Sequence, residues 1–222
     1  MYFVPKPQVA IFDVDKTTFK TQLFHWGLAE SFNKLIPRSS HGDILSEIRL
    51  YDINNSGYNI AAHLDTYGLS FEKVKPQITA TLSKMNLVYD DAVSTFNSIL
   101  DTPCIDYWNL TVGITATQQF KIDLQNAELQ RRLHRRIPSK NHVIISGNKG
   151  RYLTRHWSNG GFKMGRKKYS SAIVVDDNPV QLEGLSPTPG LKIYQIVRPR
   201  GLYEPTSRKD IIEISDLSAM IK

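Results

Sequence analysis

Two carboxylates one residue apart follow the first apolar run of the chain. Val9-Ala10-Ile11-Phe12 delivers Asp13-Val14-Asp15-Lys16-Thr17. Residues i and i+2 of a strand project to the same side, so Asp13 and Asp15 point together where such a strand ends. Like charges held that close repel unless a cation lies between them or one keeps its proton. The pair therefore suits a metal site, proton transfer, or both. Asp is also common at strand ends and helix N-caps, which is the simpler role open to it. A second junction of the same kind, Ala172-Ile173-Val174-Val175-Asp176-Asp177, weakens the simpler role. It reads as a buried parallel strand bringing a carboxylate to the same sheet edge. Asn178-Pro179 behind it form an N-cap and first turn for a short helix through Leu182 and Leu185.

Bringing two such junctions together requires alternating strands and helices, and the rest of the chain supplies that rhythm. Strands are expected to Thr115, from His142, to Asp176, and over 192–197 and 210–214, with helices through Phe120 and Leu124 and, after Lys149-Gly150, through Leu153. This is an α/β pattern, a Rossmann-like doubly wound parallel sheet whose site lies at the carboxyl ends of the strands. Residues 19–88 differ, because their apolar residues recur at helical spacing with no strand-to-acid junction. Phe24, Leu28, Phe32 and Leu35 form one stripe ending at Pro37; Ile60, Leu64 and Tyr67 form another, closed by Gly68. Ser70 is placed to cap a third, with Phe71, Val74, Ile78, Leu82 and Met85, which Pro76 should kink or delay. Asp90 and Asp91 then open a helix through Phe96 and Ile99, and they suit its N-terminal dipole. The expected division is 1–18 with 89–222 as the α/β core, and 19–88 as a helical insert. The segment 199–207 is a loop rich in Pro, Gly and Arg.

The first junction resembles motif I of the haloacid dehalogenase (HAD) superfamily, an apolar run followed by Asp-x-Asp-x-Thr, and the second resembles its last motif. The resemblance implies two further motifs between them: a Ser or Thr closing a strand, then a Lys. Thr115 and Ser146 both qualify for the hydroxyl. Thr115 to Lys149 is 34 positions and Lys149 to Asp176 is 27, and a βα unit of about 30 residues fits either gap. Taking Ser146 would crowd the lysine (Lys163, Lys167 or Lys168) against Asp176, so Thr115 with Lys149 is the assignment and Ser146 the fallback. The insert looks like the small helical cap of phosphoserine-phosphatase-like members.

On the family's pattern Asp13 is the nucleophile toward a phosphoryl group and Asp15 the general acid and base. Thr115 donates a hydroxyl to a phosphoryl oxygen and Lys149 supplies a fixed positive charge. Mg²⁺ suits such hard oxygen donors, held by Asp13, the Asp15 carbonyl and Asp176, with Asp177 orienting Lys149 or a metal-bound water. The resemblance thus implies a Mg²⁺-dependent phosphomonoester hydrolase acting on a small phosphorylated metabolite or nucleotide. A phosphotransferase or nucleic-acid end phosphatase using the same site, and a non-catalytic binder of phosphate ligands, are the other readings. Family members often have Gly where Lys16 stands, so the backbone there is asked to turn without it. The longer forms of the last motif carry an acid where this chain has Val180 or Gln181. In the insert, His25 and Trp26 are candidate substrate contacts, although a satisfied or exposed histidine and a core tryptophan are the commoner roles.

Composition sets the outer limits. The chain has 222 residues with 41% hydrophobic content, enough for a packed core. One cysteine, Cys104, leaves no internal disulfide and no Cys-rich zinc site. The first strand begins almost at once, no apolar run approaches a membrane span, and a cytoplasmic setting is expected. A net charge of +7 favours anionic partners. Arg131, Arg132, His134, Arg135 and Arg136 form one basic cluster and Lys163, Arg166, Lys167 and Lys168 another. A solvated helix face and loop are the simpler readings, and nucleic acid is the alternative partner.

Overall fold

The computed structural model describes residues 8–36, 43–54, 57–158, 160–199 and 203–220. In chain order it contains β1 (Gln8–Phe12), α1 (Thr21–Leu35), α2 (Ile44–Asn54), α3 (Ile60–Asp65), α4 (Phe71–Leu82), α5 (Asp90–Asp101), β2 (Ile105–Val112) and α6 (Thr115–Leu133). There follow β3 (His142–Ile145), α7 (Lys149–His156), β4 (Trp157–Ser158), β5 (Gly161–Met164), β6 (Lys167–Tyr169), β7 (Ser171–Asp176), α8 (Pro179–Leu182), β8 (Leu191–Ile196) and β9 (Ile211–Ile214). Pro37, placed at the end of the first apolar stripe, lies outside the described residues, as do 200–202 of the Pro/Gly/Arg-rich loop.

The chain folds into two compact units, 1–18 with 90–112 and 137–222, and 19–89 with 113–136. The first is built on a six-stranded parallel sheet in the order β3-β2-β1-β7-β8-β9, a Rossmann-like α/β fold. β1 is an apolar strand because both its faces are covered. Val9 and Ile11 join a cluster with Trp108, Leu110, Val174 and Phe162. Phe12 stacks on Tyr107 at 5.0 Å and meets the edge of Phe96 from α5 at 6.1 Å. The register pairs Phe12 with Val175, and the Asp13 amide donates to the Val175 carbonyl at 2.9 Å. The two strand-to-acid junctions therefore end side by side.

A three-stranded antiparallel sheet, β4-β5-β6, stands where sequence reasoning expected a solvated loop. Its alternation turns Phe162, Met164 and Tyr169 inward and leaves Lys163 and Lys168 exposed opposite one another. Lys167 and Tyr169 are tied to Asp106 at 2.7 and 2.6 Å.

The second unit is the helical insert joined by α6. α1 buries Phe24, Leu28 and Phe32, and α4 buries Phe71, Val74, Ile78 and Leu82, as their stripes require. Gly27 permits the close approach of the two helices, since a Cβ there would meet Leu82 Cδ2 at 2.5 Å. Ring packing and two hydrogen bonds draw 113–136 to this unit rather than to the sheet unit that holds the flanking strands. Phe120 packs on Phe24 and Phe71, the Ile60 amide donates to Thr117 Oγ1 at 3.1 Å, and the Val88 amide donates to Glu128 Oε2 at 3.0 Å. Pro76 neither delays α4 nor ends it, and Ser70 stands at its N-cap position without a side-chain capping bond. α2 was not expected, although Ile44 and Ile48 have the i, i+4 spacing of a buried face.

Asp91 does more than complement a helix dipole. Its Oδ2 accepts from Arg198 Nη1 at 2.7 Å and from the Leu217 amide at 2.9 Å, while Arg198 Nη2 donates to the Thr17 carbonyl at 2.7 Å. The pair is nearly buried, with side chains 9% and 10% exposed. Removing one partner strands the other in low dielectric, so Asp91→Ala should lower stability by about 3 kcal/mol in urea unfolding. A loss under about 0.5 kcal/mol would show that the clamp is dispensable.

Candidate active site

Asp13 and Asp176 leave adjacent strands at the same level, and the loop after Asp13 turns back on itself. Thr18 donates its amide to Val14 O at 3.1 Å and its hydroxyl to Asp13 O at 3.0 Å. Asp15 is half-buried on this turn. Lys16 takes a left-handed backbone with φ 58°, the conformation for which Gly is the residue without penalty, at a cost of about 1 kcal/mol to other residues. The turn is thus made without glycine, and Lys16 carries the strain.

Lys149 reaches these acids from the far side of β2. Its strand, β3, is the sheet edge, two strand spacings or about 10 Å from β1, so a long side chain is needed. The first turn of α7 is fastened to aim it. Asn148 caps the helix by accepting from the Arg151 amide at 2.9 Å and donates to Val180 O at 2.9 Å. Gln181 Oε1 accepts from the Lys149 amide at 3.0 Å. Gly150 lies so close to the next segment that a Cβ would meet the Glu183 carbonyl oxygen at 2.1 Å. Lys149 Nζ then donates to Asp13 Oδ1 and, at 2.6 Å, to Asp176 Oδ2, with all three side chains buried. Asp176 Oδ1 accepts from the Asn178 amide at 3.0 Å. Lys149 donates to Asp13 and Asp176, whereas one role expected of Asp177 was to orient it.

Asp13, Asp176 and Asp177 each offer a carboxylate oxygen within 4.8 Å of the others. Ligands about 2.1 Å from a Mg²⁺ ion lie roughly 3–4 Å apart, so a small movement closes this set on one ion. Electrostatics asks for that ion. Burial pushes the Asp13 carboxyl up to about 7, against the pull of Lys149 and with Asp176 and Asp15 adding repulsion. Burial, then Asp13 and Asp176, raise Asp177 to about 8 against Lys16 and Lys149. Burial alone would lower Lys149, but the two carboxylates outweigh it and keep the ammonium charged.

Of the remaining expected residues, Thr115 is exposed as the first residue of α6, three positions beyond the end of β2, the strand beside β1. Ser146 is exposed after the edge strand β3. His25 is buried in the insert, beside Phe24 and edge-on to Tyr58 at 5.7 Å, which makes it a packing residue. Trp26 is 52% exposed rather than core. Sequence reasoning missed Gln181 as a fastening of Lys149, and it missed Tyr203. The Tyr203 hydroxyl accepts from Asn178 Nδ2 at 2.9 Å, a contact across a loop with no periodic signal.

No protein-family model matches the sequence, and no curated protein matches it. Solved structures do match. A protein described as a haloacid dehalogenase-like hydrolase from Burkholderia xenovorans aligns with TM-score 0.61 at 13% identity, over 98% of this chain and 96% of its own. The chain has the fold of the HAD-superfamily hydrolases. The HAD-hydrolase YfnB of Bacillus subtilis, described as bound to magnesium, aligns with TM-score 0.52 at 14% identity over 97% of both chains. A 2-haloacid dehalogenase from Pseudomonas syringae aligns with TM-score 0.51 at 17% identity, over 97% of this chain and 96% of its own.

Two outcomes follow from this site. Asp13 and Asp177 have folded pKa values above the unfolded carboxylate value, so the folded metal-free protein holds those protons more tightly than the unfolded chain. The stabilisation is full at low pH and is lost as pH rises through about 7 and 8. A divalent ion favours the ionised acids, so the rise in Tm on adding Mg²⁺ should be larger at pH 8 than at pH 5.5; an increment constant with pH would contradict the cluster. Gly150→Ala should displace the first turn of α7 and raise the Mg²⁺ concentration needed for half-maximal stabilisation at least threefold, measured by the same melts; an unchanged value would show that Lys149 does not depend on this close approach.

Proposed function

We propose that this chain is a Mg²⁺-dependent phosphomonoester hydrolase working through an aspartyl-phosphate on Asp13. The observation that carries the reading is the buried set of Asp13, Asp176 and Asp177 with Lys149 bonded to two of them. Mg²⁺ on these acids would supply charge neutralisation to an incoming phosphate and free Asp13 to ionise. Asp13 then attacks phosphorus in line, the P–O bond to the alcohol breaks, and Asp15 gives the departing oxygen its proton. Asp15 next takes a proton from water as that water attacks the phosphoryl-Asp13, which returns the free carboxylate and releases inorganic phosphate. Lys149 holds Asp13 in position and balances charge on the equatorial oxygens, with Thr115 as the hydroxyl donor. The insert is read as a cap that selects a small phosphorylated substrate, and the cytoplasm as its setting; among the described residues no helix is long and apolar enough to cross a membrane.

Displacement of halide from carbon is the second chemistry found on this fold. A halide departs without a proton, so Asp15 would have no task as a general acid, and three converging acids would add only repulsion. The architecture of the charge thus favours phosphate. A nucleic-acid end phosphatase draws little from the basic clusters. Lys163 and Lys168 lie in a sheet that leads into the amino end of β7, whereas Asp176 ends that strand, about 20 Å further on. In the other cluster Arg131, Arg132 and Arg136 bond to Asn86, Glu128 and Gln130.

Wild-type protein should release phosphate from an aryl phosphate only with Mg²⁺. Asp13→Asn should lower kcat by about 10³-fold or more and Asp15→Asn by about 10²-fold. Metal-independent turnover, or full activity in Asp13→Asn, would remove the reading.

A further inference from the structure

Lys16 keeps a strained left-handed backbone where the turn itself would be served by glycine. Its side chain is directed, not adrift. The residue is half-buried and its ammonium lies 5.7 Å from the centre of the Tyr203 ring, within cation–π range. Tyr203 is anchored in turn, because its hydroxyl accepts from Asn178 Nδ2 at 2.9 Å and Asn178 directly follows Asp177. The phenol also senses the acids. Its pKa is raised by burial first, and then by Asp177, Asp176 and Asp13.

The two lysines of the site serve different ends of it. Lys149 is bonded to Asp13 and Asp176, which commits its charge to the reacting centre. Lys16 acts on Asp177 and stands with Tyr203. An ammonium carries three N–H donors, and a phenol whose oxygen accepts a bond keeps its own hydrogen to donate. Paired donors with one positive charge recognise an anion. We infer that Lys16 and Tyr203 form a second anion subsite beside the phosphoryl site, selecting phosphomonoesters that carry a further carboxylate or phosphate a few bonds from the ester. The inference rests on the phosphohydrolase reading for its substrate class, although the subsite can be probed without turnover.

The test uses the full chain with Mg²⁺ and two non-hydrolysable probes, methylphosphonate and phosphonoacetate, which differ by one carboxylate. Wild-type protein should bind phosphonoacetate more tightly by calorimetry. Lys16→Gly, which suits the backbone at φ 58°, should cut that preference about five- to tenfold. Tyr203→Phe should cut it less, and Lys16→Arg should keep most of it. Equal binding of the two probes, no binding of either, or a preference untouched in Lys16→Gly would overturn the subsite. Turnover of ethyl phosphate and phosphoglycolate is measured alongside. A binding preference lost in Lys16→Gly with neither ester hydrolysed would uphold the subsite and remove the catalytic reading. Hydrolysis of both esters with no preference would do the reverse.

Discussion

Three carboxylates cannot be buried around one point unless positive charge is buried with them. That constraint organises the sheet unit. Lys149 answers part of it, lying between Asp13 and Asp176 with its charge held by both. One ammonium does not balance Asp13, Asp176 and Asp177 together, and the remainder shows as carboxyls pushed up toward and beyond neutrality. A divalent cation is the simplest species that completes the balance, and it is also what an incoming phosphate dianion needs in order to approach an acidic nucleophile. The same charge problem therefore accounts for the lysine and underlies the proposed metal and chemistry.

The fold meets the constraint by register and by docking. Parallel pairing of β1 with β7 sets Asp13 level with Asp176, and no loop has to find that arrangement. Lys149 has the harder position, starting from the edge strand, and the sequence around it is spent on aiming it. Asn148, Gly150 and Gln181 lock the first turn of α7 against the segment 180–183 that follows the acids. Arg198 and Asp91 hold the motif I turn from behind through the Thr17 carbonyl.

Much of this was legible because the relevant signals are local. An apolar run ending in an acid declares a buried strand tip, and two such runs with room for helices between them imply a parallel sheet. The contacts that aim Lys149 were not legible, since they join residues about 32 positions apart through amide and carbonyl groups that any side chain could accompany. The allegiance of α6 was hidden for a related reason. Phe120 and Thr117 mark a buried face, but periodicity does not say which partner covers it. The alternation of Phe162-Lys163-Met164 was a readable strand signal, masked by the density of charge around it. Trp26 is exposed where a core tryptophan was expected, and His25 packs inside the insert, because proximity in sequence to motif I says little about which way a helix turns each side chain. Lys16 was the opposite case: its departure from glycine announced a backbone demand, and the left-handed turn is there.

Calorimetric titration of Mg²⁺ into the metal-free protein at pH 7, repeated in two buffers of different ionisation enthalpy, reads most directly whether the buried acids await a cation. One ion per chain should bind with net proton release, because carboxyls raised to about 7 and 8 are partly protonated before it arrives. Asp176→Asn should weaken that binding. Absence of a binding heat, or binding with no proton release and no loss in Asp176→Asn, would contradict a metal site built from Asp13, Asp176 and Asp177.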